Sequence, residues 1–185
     1  RYKSKDYLNN VSDNTLFSAS NYNELLVRPE VRATYNPNDE TAYVAGIGLD
    51  HETLVRTDFA TNPEFNSPYA YIQYDGNPNE KVNIILGARF DKHNEYNSQF
   101  SPKGAIRYEL NDKFAIKGSV GYGFKAPDFR QLYFDLAGIA GYTILGHNAV
   151  SSRVPEMIAN GEIEDESDIV VPLSVFGDKL RPESS

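Results

Sequence analysis

Apolar and polar residues alternate with a period of two through much of this chain. Between Val82 and Phe90, the residues Val82, Ile84, Leu86, Ala88 and Phe90 are apolar, while Asn83, Gly87, Arg89 and then Asp91 are not; Ile85 is the exception. Alternate side chains of a strand point to opposite faces, so this pattern predicts a half-buried strand. The same alternation recurs in five other places. Val27, Pro29, Val31, Ala33 and Tyr35 oppose Leu26, Arg28, Glu30, Arg32 and Thr34. Tyr43, Ala45, Ile47 and Leu49 oppose Val44, Gly46, Gly48 and Asp50. Ala70, Ile72 and Tyr74 oppose Tyr71, Gln73 and Asp75. Ile106, Tyr108 and Leu110 oppose Lys103, Arg107 and Glu109. Phe114, Ile116, Val120 and Tyr122 oppose Lys113, Lys117, Ser119 and Gly121. Arg1–Leu8 reads as the end of a seventh strand. Helical pattern is confined to Pro127–Phe134 and a turn or two at Pro155–Asn160, where Pro155 suits a first helical position.

The connections alternate in length. Asn36-Pro37-Asn38-Asp39, Asn77-Pro78-Asn79-Glu80 and Asn111-Asp112 are tight and rich in turn formers. His51–Ser67, Lys92–Gln99 and everything after Lys125 are longer. Short turns at one end and long loops at the other are the hairpin asymmetry of outer-membrane β-barrels. The aromatics agree. On the apolar parity, Tyr35, Tyr43, Tyr74, Tyr108 and Phe114 lie near short turns, and Phe90, Tyr122 and Phe124 near long ones. The strand middles are aliphatic. Two aromatic belts around an aliphatic band describe a lipid-facing surface. The expected fold is therefore all-β: an antiparallel meander of six to seven strands, part of a large transmembrane barrel, with a long extracellular loop. A soluble, Tyr-rich β-sandwich binding module, with glycans as its candidate ligand, is the alternative; it would place its aromatics in the core centre.

Composition narrows the function. The 185 residues carry a net charge of −8, 40% hydrophobic residues, 13 Tyr and no Cys. That is too apolar for a disordered chain and too acidic for a general nucleic-acid binder. No disulfide, thiolate metal site or Cys nucleophile is available. No apolar run reaches the roughly 18 residues of a membrane helix. Val154–Asp178 holds seven acids and no Lys or Arg, and reads as a solvated loop without the order of a calcium loop. The sequon at Asn10-Val11-Ser12 reads as chance. No catalytic constellation, phosphate loop or metal motif is legible, so neither an enzyme nor a cofactor is expected.

Gly121-Tyr122-Gly123-Phe124-Lys125-Ala126-Pro127-Asp128-Phe129-Arg130-Gln131-Leu132-Tyr133-Phe134 resembles a signature of TonB-dependent outer-membrane receptors. There a strand ends in Phe-Lys/Arg-Ala-Pro and turns into a long extracellular loop. Leu180-Arg181-Pro182-Glu183-Ser184-Ser185 resembles the family segment that opens the next strand. Gly87-Ala88-Arg89-Phe90-Asp91-Lys92-His93 resembles a family strand end. The resemblance covers about Tyr22–Ser185 and is nearest to ferric-siderophore and colicin receptors. It implies a barrel of about 22 strands around a plug, import of a scarce metal chelate (ferric siderophore, haem or cobalamin class), and energy from TonB. This chain matches a middle-to-late slice of such a barrel, without plug or TonB-contacting box. Residues 1–124 would be barrel strands and hairpins, and 125–185 the long extracellular loop. The implied location is the outer membrane. The partners would be lipid, plug, TonB and a small metal chelate, and the isolated fragment would self-associate through its apolar face.

Three sets of residues face the expected lumen or its mouth. Arg28, Arg32, Arg89, Lys103, Arg107 and Lys117 share the polar parity with Glu30, Asp91 and Glu109, for cross-strand pairing, plug contact or an anionic path. Asp91, His93 and Glu95 share one side if the strand stays extended, a possible ligand or metal-chelate contact. Phe129, Leu132, Tyr133 and Phe134 form an apolar cluster expected to pack on the barrel rim, with Phe129 and Tyr133 as ligand candidates. Ile169–Phe176 is expected to form a short hairpin or edge strand, and Ser151–Ser167 to be the most mobile part.

Overall fold

The computed structural model describes residues 1–9, 12–57, 59, 61–137, 143–163 and 171–184. The strands are β1 (Tyr2–Asn9), β2 (Leu16–Val27), β3 (Glu30–Asn38), β4 (Thr41–Arg56), β5 (Glu64–Asn79), β6 (Val82–Asp91), β7 (Gln99–Asn111) and β8 (Phe114–Gly121), followed by the short β9 (Phe124–Lys125). Helix α1 (Phe129–Tyr133), β10 (Asp135–Ala137), β11 (Thr143–Leu145), helix α2 (His147–Ala159), a 3₁₀ turn at Leu173–Phe176 and β12 (Glu183–Ser184) complete the chain. The main sheet has the order β1-β2-β4-β5-β6-β7-β8, with β3 also paired to β4. β2 and β3 thus occupy one place in an antiparallel meander, interrupted at Arg28 and Pro29. Pro29 has no N–H for the ladder and restricts Arg28, but its carbonyl still accepts from Leu49 N–H at 3.1 Å. The expected meander is present. β2 is an addition, because the apolar residues of Leu16–Val27 do not alternate.

The three short turns share one device. Asn38 Oδ1 accepts from the Glu40 N–H, Asn79 Oδ1 from Lys81, and Asn111 Oδ1 from Lys113 and Phe114, all at 3.0–3.1 Å. These are side-chain-closed turns, centred one to two residues later than expected. Each hairpin shifts register just before its Asn. Pro37 and Pro78 fall in those shifts, where a missing N–H removes no regular ladder bond.

The long ends differ more. β4 and β5 extend to Arg56 and from Glu64, shortening the expected His51–Ser67 loop. α2 begins at His147, so Pro155 lies inside the helix instead of opening it. Its missing N–H leaves one carbonyl of the preceding turn without its helical donor, while Ala149, Val150, Val154 and Met157 are buried along the helix. Ser151–Ala159 is therefore helical, not the loose segment expected, and 164–167 lie outside the described residues. Instead of the strand expected at Ile169–Phe176, Leu173–Phe176 forms a 3₁₀ turn after Pro172; 169 and 170 lie outside the described residues, as do 10 and 11 of the sequon.

The chain divides into two compact units. The first comprises residues 1–26, 52–65 and 127–181. Its core is Leu54, Phe59, Phe65, Phe129 and Leu132. The second comprises 27–51, 66–126 and 182–185 and is mostly sheet. There the registers Val31↔Ile47, Tyr35↔Tyr43, Ile72↔Ala88, Tyr74↔Leu86, Ile84↔Ile106 and Tyr108↔Ile116 put the aliphatic residues on one face, and the Tyr43 and Tyr74 rings meet at 5.4 Å. Val31, Ile47, Ile72, Leu86, Ile106 and Ile116 are 51–71% exposed. A soluble sandwich would cover such a face with a second sheet; a lipid-facing wall leaves it bare. No helix among the described residues is long and apolar enough to cross a membrane.

Candidate functional site

The polar face of the second unit is a wall of interlocked side chains. Tyr69 and Tyr71 lie flat over glycines of β4: a Cβ on Gly48 would stand 2.4 Å from the Tyr69 ring, and one on Gly46 2.5 Å from Tyr71. Both tyrosines donate to Glu30, at 2.7 and 3.0 Å. The Arg89 guanidinium sits 3.9 Å from the Tyr69 ring centre and donates to both carboxylate oxygens of Asp91 at 2.7–2.9 Å. Arg28 is ion-paired with Asp50 across the strands. On this part of the face, Arg28 and Arg89 thus have carboxylate partners in Asp50 and Asp91.

The β7–β8 part of the same face is not balanced. Arg107 pairs with Glu109 along its own strand at 2.5 Å and faces Lys117 directly across the ladder. The stem of Lys103 lies over Gly87, with its Cε 2.7 Å from where a Cβ would be. A depression of about 360 Å³ is lined by Asn83, Ile85, Ala105, Arg107, Lys117 and Ser119, among others. Arg32 stands opposite Gly46.

Asp91, His93 and Glu95 do not form the side-by-side set that an extended strand would give. β6 ends at Asp91. The chain then turns so that His93 Nδ1 accepts from the Glu95 N–H at 3.0 Å, and the buried imidazole stacks on Tyr96 at 3.6 Å. Asp91 is engaged by Arg89. Among the described residues no group of three His, Asp or Glu side chains could hold a metal ion.

In the first unit the Phe129–Phe134 segment packs onto the long end of the β4–β5 hairpin. Asp128 caps α1, accepting from Gln131 N–H at 2.8 Å, while Gln131 Oε1 accepts from Asp128 N–H at 2.9 Å. Leu132 is fully buried, and Phe129 stacks on Phe65 at 3.9 Å. Tyr133 is half-buried, its ring centre 6.3 Å from Phe65. Gly146 abuts the backbone of Leu132–Phe134, where a Cβ would meet it at 2.6 Å, and its N–H donates to Phe134 O at 2.7 Å. Only glycine permits that approach of α2 to α1. Arg153 ties α2 to Asp135 at 2.6 Å; Glu156, then Asp135, hold its guanidinium above its ordinary pKa. His147 Nε2 lies 2.6 Å from Asp178 O, which joins the start of α2 to the later part of the segment. Arg56 carries its guanidinium 5.8–5.9 Å from the ring centres of Tyr22, Phe59 and Phe134. Beside it is a polar groove of about 370 Å³ lined by Tyr2, Asp6, Ser20, Tyr22, Glu24 and Arg130, among others.

The sequence reading did not single out the Tyr–Gly joints or Arg56. A signal for the joints was present: Gly46-x-Gly48 and Tyr69-x-Tyr71 have the same two-residue spacing on the polar parity of neighbouring strands. Arg56 carried no such signal.

A family model described as TonB dependent receptor-like, beta-barrel, matches residues 1–184. Over 62 residues the chain is 39% identical to a probable TonB-dependent siderophore receptor PirA of Acinetobacter baumannii, covering 34% of this chain and 8% of that protein. It is 32% identical, also over 62 residues and 34% of this chain, to an iron-regulated outer membrane virulence protein of Vibrio cholerae, covering 10% of it. The crystal structure of the siderophore receptor PirA from A. baumannii superposes with a TM-score of 0.55 at 19% identity, over 72% of this chain and 23% of that one. The PirA structure from Pseudomonas aeruginosa gives 0.54 at 21% identity, over 62% and 23%. The chain thus spans a tenth or less of the curated relatives and under a quarter of the solved receptors.

Proposed function

Because the chain belongs to the TonB-dependent receptor-like β-barrel family, and so to the outer membrane, we propose that it is part of the wall and outer loops of a receptor that imports a ferric siderophore. The observation that carries this reading is the family match over residues 1–184, joined to an aliphatic face left bare as lipid contact requires. Two relatives, one named a probable siderophore receptor and one an iron-regulated outer membrane protein, favour a ferric siderophore over haem or cobalamin. TonB and a plug would act in the full-length protein.

Within that receptor, the wall and the loop have different work. The wall contacts lipid on one face and presents fixed charge on the other. The helical part of the long segment, α1 with α2, acts as a lid anchored by Phe129 and Leu132. Tyr133, half-buried at the edge of that anchor, is the ligand contact of this segment. Phe129 supports it from the core. His93 shapes the β6–β7 loop, Asp91 is held by Arg89, and Glu95 is the carboxylate of that rim left as a ligand candidate.

The test is uptake, in cells that carry or lack the full-length receptor, of radioiron supplied as catecholate or hydroxamate chelates or as haem, and of radiocobalt supplied as cobalamin. The expected result is receptor-dependent uptake of one ferric siderophore class, abolished without TonB while surface binding persists. Uptake of cobalamin or haem alone, or no receptor-dependent uptake, would refute it.

A further inference from the structure

We infer that a hollow in the polar wall, centred on Gly87, binds a small ligand that carries one carboxylate. The inference rests on the receptor reading above and deepens it by naming a chemical group of the imported chelate. The hollow holds about 450 Å³, and Glu30, Tyr71, Gln73, Arg89, Ser101 and Lys103 are its polar lining. Two rows of the ladder build it. Gln73, Gly87, Lys103 and Gly121 stand side by side across β5–β8, and Tyr71, Arg89 and Ser101 form the neighbouring row on the same face. Two glycines in one row leave bare backbone where side chains would stand, and the wall is concave there. The Lys103 stem leans over Gly87, its Cε 2.7 Å from where a Cβ would be. Its charge is thereby carried toward β6, two strands in from the edge of the sheet.

Lys103 is the one charge of this hollow that the sheet does not answer. Glu30 accepts from the Tyr69 and Tyr71 hydroxyls, and Arg89 donates to Asp91. Lys103 has glycines as both cross-strand neighbours. Its neighbours two residues along the same face are Ser101 and Ala105. Among the described residues no ion pair reaches it. The size of the hollow favours a small ligand: two residues along a strand by two strand spacings is about 7 by 10 Å. One carboxylate over Gly87 meets the Lys103 ammonium and the Ser101 hydroxyl together, as a charge-assisted pair of hydrogen bonds. Glu30, on the β3 side, repels a second anionic group. The ligand thus turns its single carboxylate toward β7 and neutral hydrogen-bonding groups toward Glu30, Tyr71 and Gln73.

The test uses the full-length receptor in outer membranes and a reagent that acylates lysine Nζ. It is applied alone, with a ferric trihydroxamate bearing one free carboxylate, with the matching carboxamide, or with inorganic phosphate. Peptide mass spectrometry should show Lys103 reactive alone and protected only by the carboxylate chelate. In radioiron uptake, Lys103→Gln should raise the half-saturating concentration of the carboxylate chelate at least about tenfold relative to that of the carboxamide, the loss expected for a hydrogen bond to a charged group, and Lys103→Arg should restore most of it. A Lys103 already unreactive without additions would overturn the inference, because another part of the receptor then covers it. So would no protection by the carboxylate chelate, or equal protection by the carboxamide or by phosphate. Uptake of either trihydroxamate without protection removes this inference and leaves the receptor reading intact; protection without receptor-dependent uptake does the opposite.

Discussion

Leu86→Arg in the full-length receptor separates a lipid-facing wall from a soluble one. Leu86 is the fifth of ten residues in β6, which places it near the middle of the apolar band. It is 55% exposed and lies between Tyr74 on β5 and Gly104 on β7. Gly104 offers only backbone, and a Cβ there would touch Leu86 at an ordinary 3.6 Å, so few packing contacts are lost. The cost is that of placing a cation in hydrocarbon, about 2–4 kcal/mol at the midplane. That is a fall of about 30- to 900-fold in the folded-to-unfolded ratio. Gln73→Arg is the control. Gln73 pairs with Gly87, one step along the ladder from the Tyr74–Leu86 pair, so it has the same depth on the opposite face. Its cost should stay within about 1 kcal/mol. The assay is the urea midpoint of the refolded receptor in phospholipid vesicles, with the heat-modifiable folded fraction in outer membranes as a second measure. Equal losses for the two variants, or a loss confined to Gln73→Arg, would refute the face assignment.

Four further outcomes are expected. Gly48→Ala should cost about 1–3 kcal/mol because the Tyr69 ring, held by Glu30 and Arg89, has no room to retreat; a double-mutant cycle with Tyr69→Ala should show coupling above about 0.5 kcal/mol, and additivity would contradict the joint. Leu132→Ala should cost about 2–5 kcal/mol locally, seen as faster hydrogen exchange over 129–137 with the β6–β7 amides unchanged; equal acceleration in both regions would argue against a separately anchored segment. The Asp13 carboxyl is held below its ordinary value by the Thr15 hydroxyl and N–H. Its support of the β1–β2 turn is full above the ordinary carboxylate range and lost as pH falls through the lowered folded value, so Asp13→Asn should remove any acid-dependent rise in exchange at Thr15. The isolated 185-residue chain should self-associate without detergent and become monodisperse in it; a monomer in plain buffer at light-scattering concentrations would count against an exposed apolar face.

Much of the wall was legible because a strand repeats its rule every two residues. Val31, Leu86 and Ile116 declare their face through neighbours that alternate with them. Leu16–Val27 breaks that alternation, and β2 went unrecognised because its order comes from pairing with β1 and β4. The turns shifted because Asn38, Asn79 and Asn111 close them by side-chain acceptance, while the nearby prolines only permit the bulges. α2 was underestimated for a similar reason: Pro155 looks like a start, but Val150, Val154 and Met157 bury their side chains whatever Pro155 does to one hydrogen bond. The candidate site was least legible. The fate of His93 depends on where β6 stops, and the charge facing Lys117 on β7 depends on Glu109 pairing with Arg107 along its own strand. Both are settled by geometry that residue spacing does not contain.

The pairing of Glu183 with Lys125 and Ser184 with Phe124 makes residues 126–182 an excursion that returns to its point of departure. Its two ends are neighbours in a ladder, so its interior length is decoupled from the spacing of the strands that flank it. Lengthening a loop closed in this way adds only about 0.6 kcal/mol per doubling. The part of the excursion that does not pack on Leu54, Phe59 and Phe65 can therefore be exchanged, by recombination or by design, while the register of β8 stays as it is. The wall sets where such a cassette is mounted and leaves its contents free to vary.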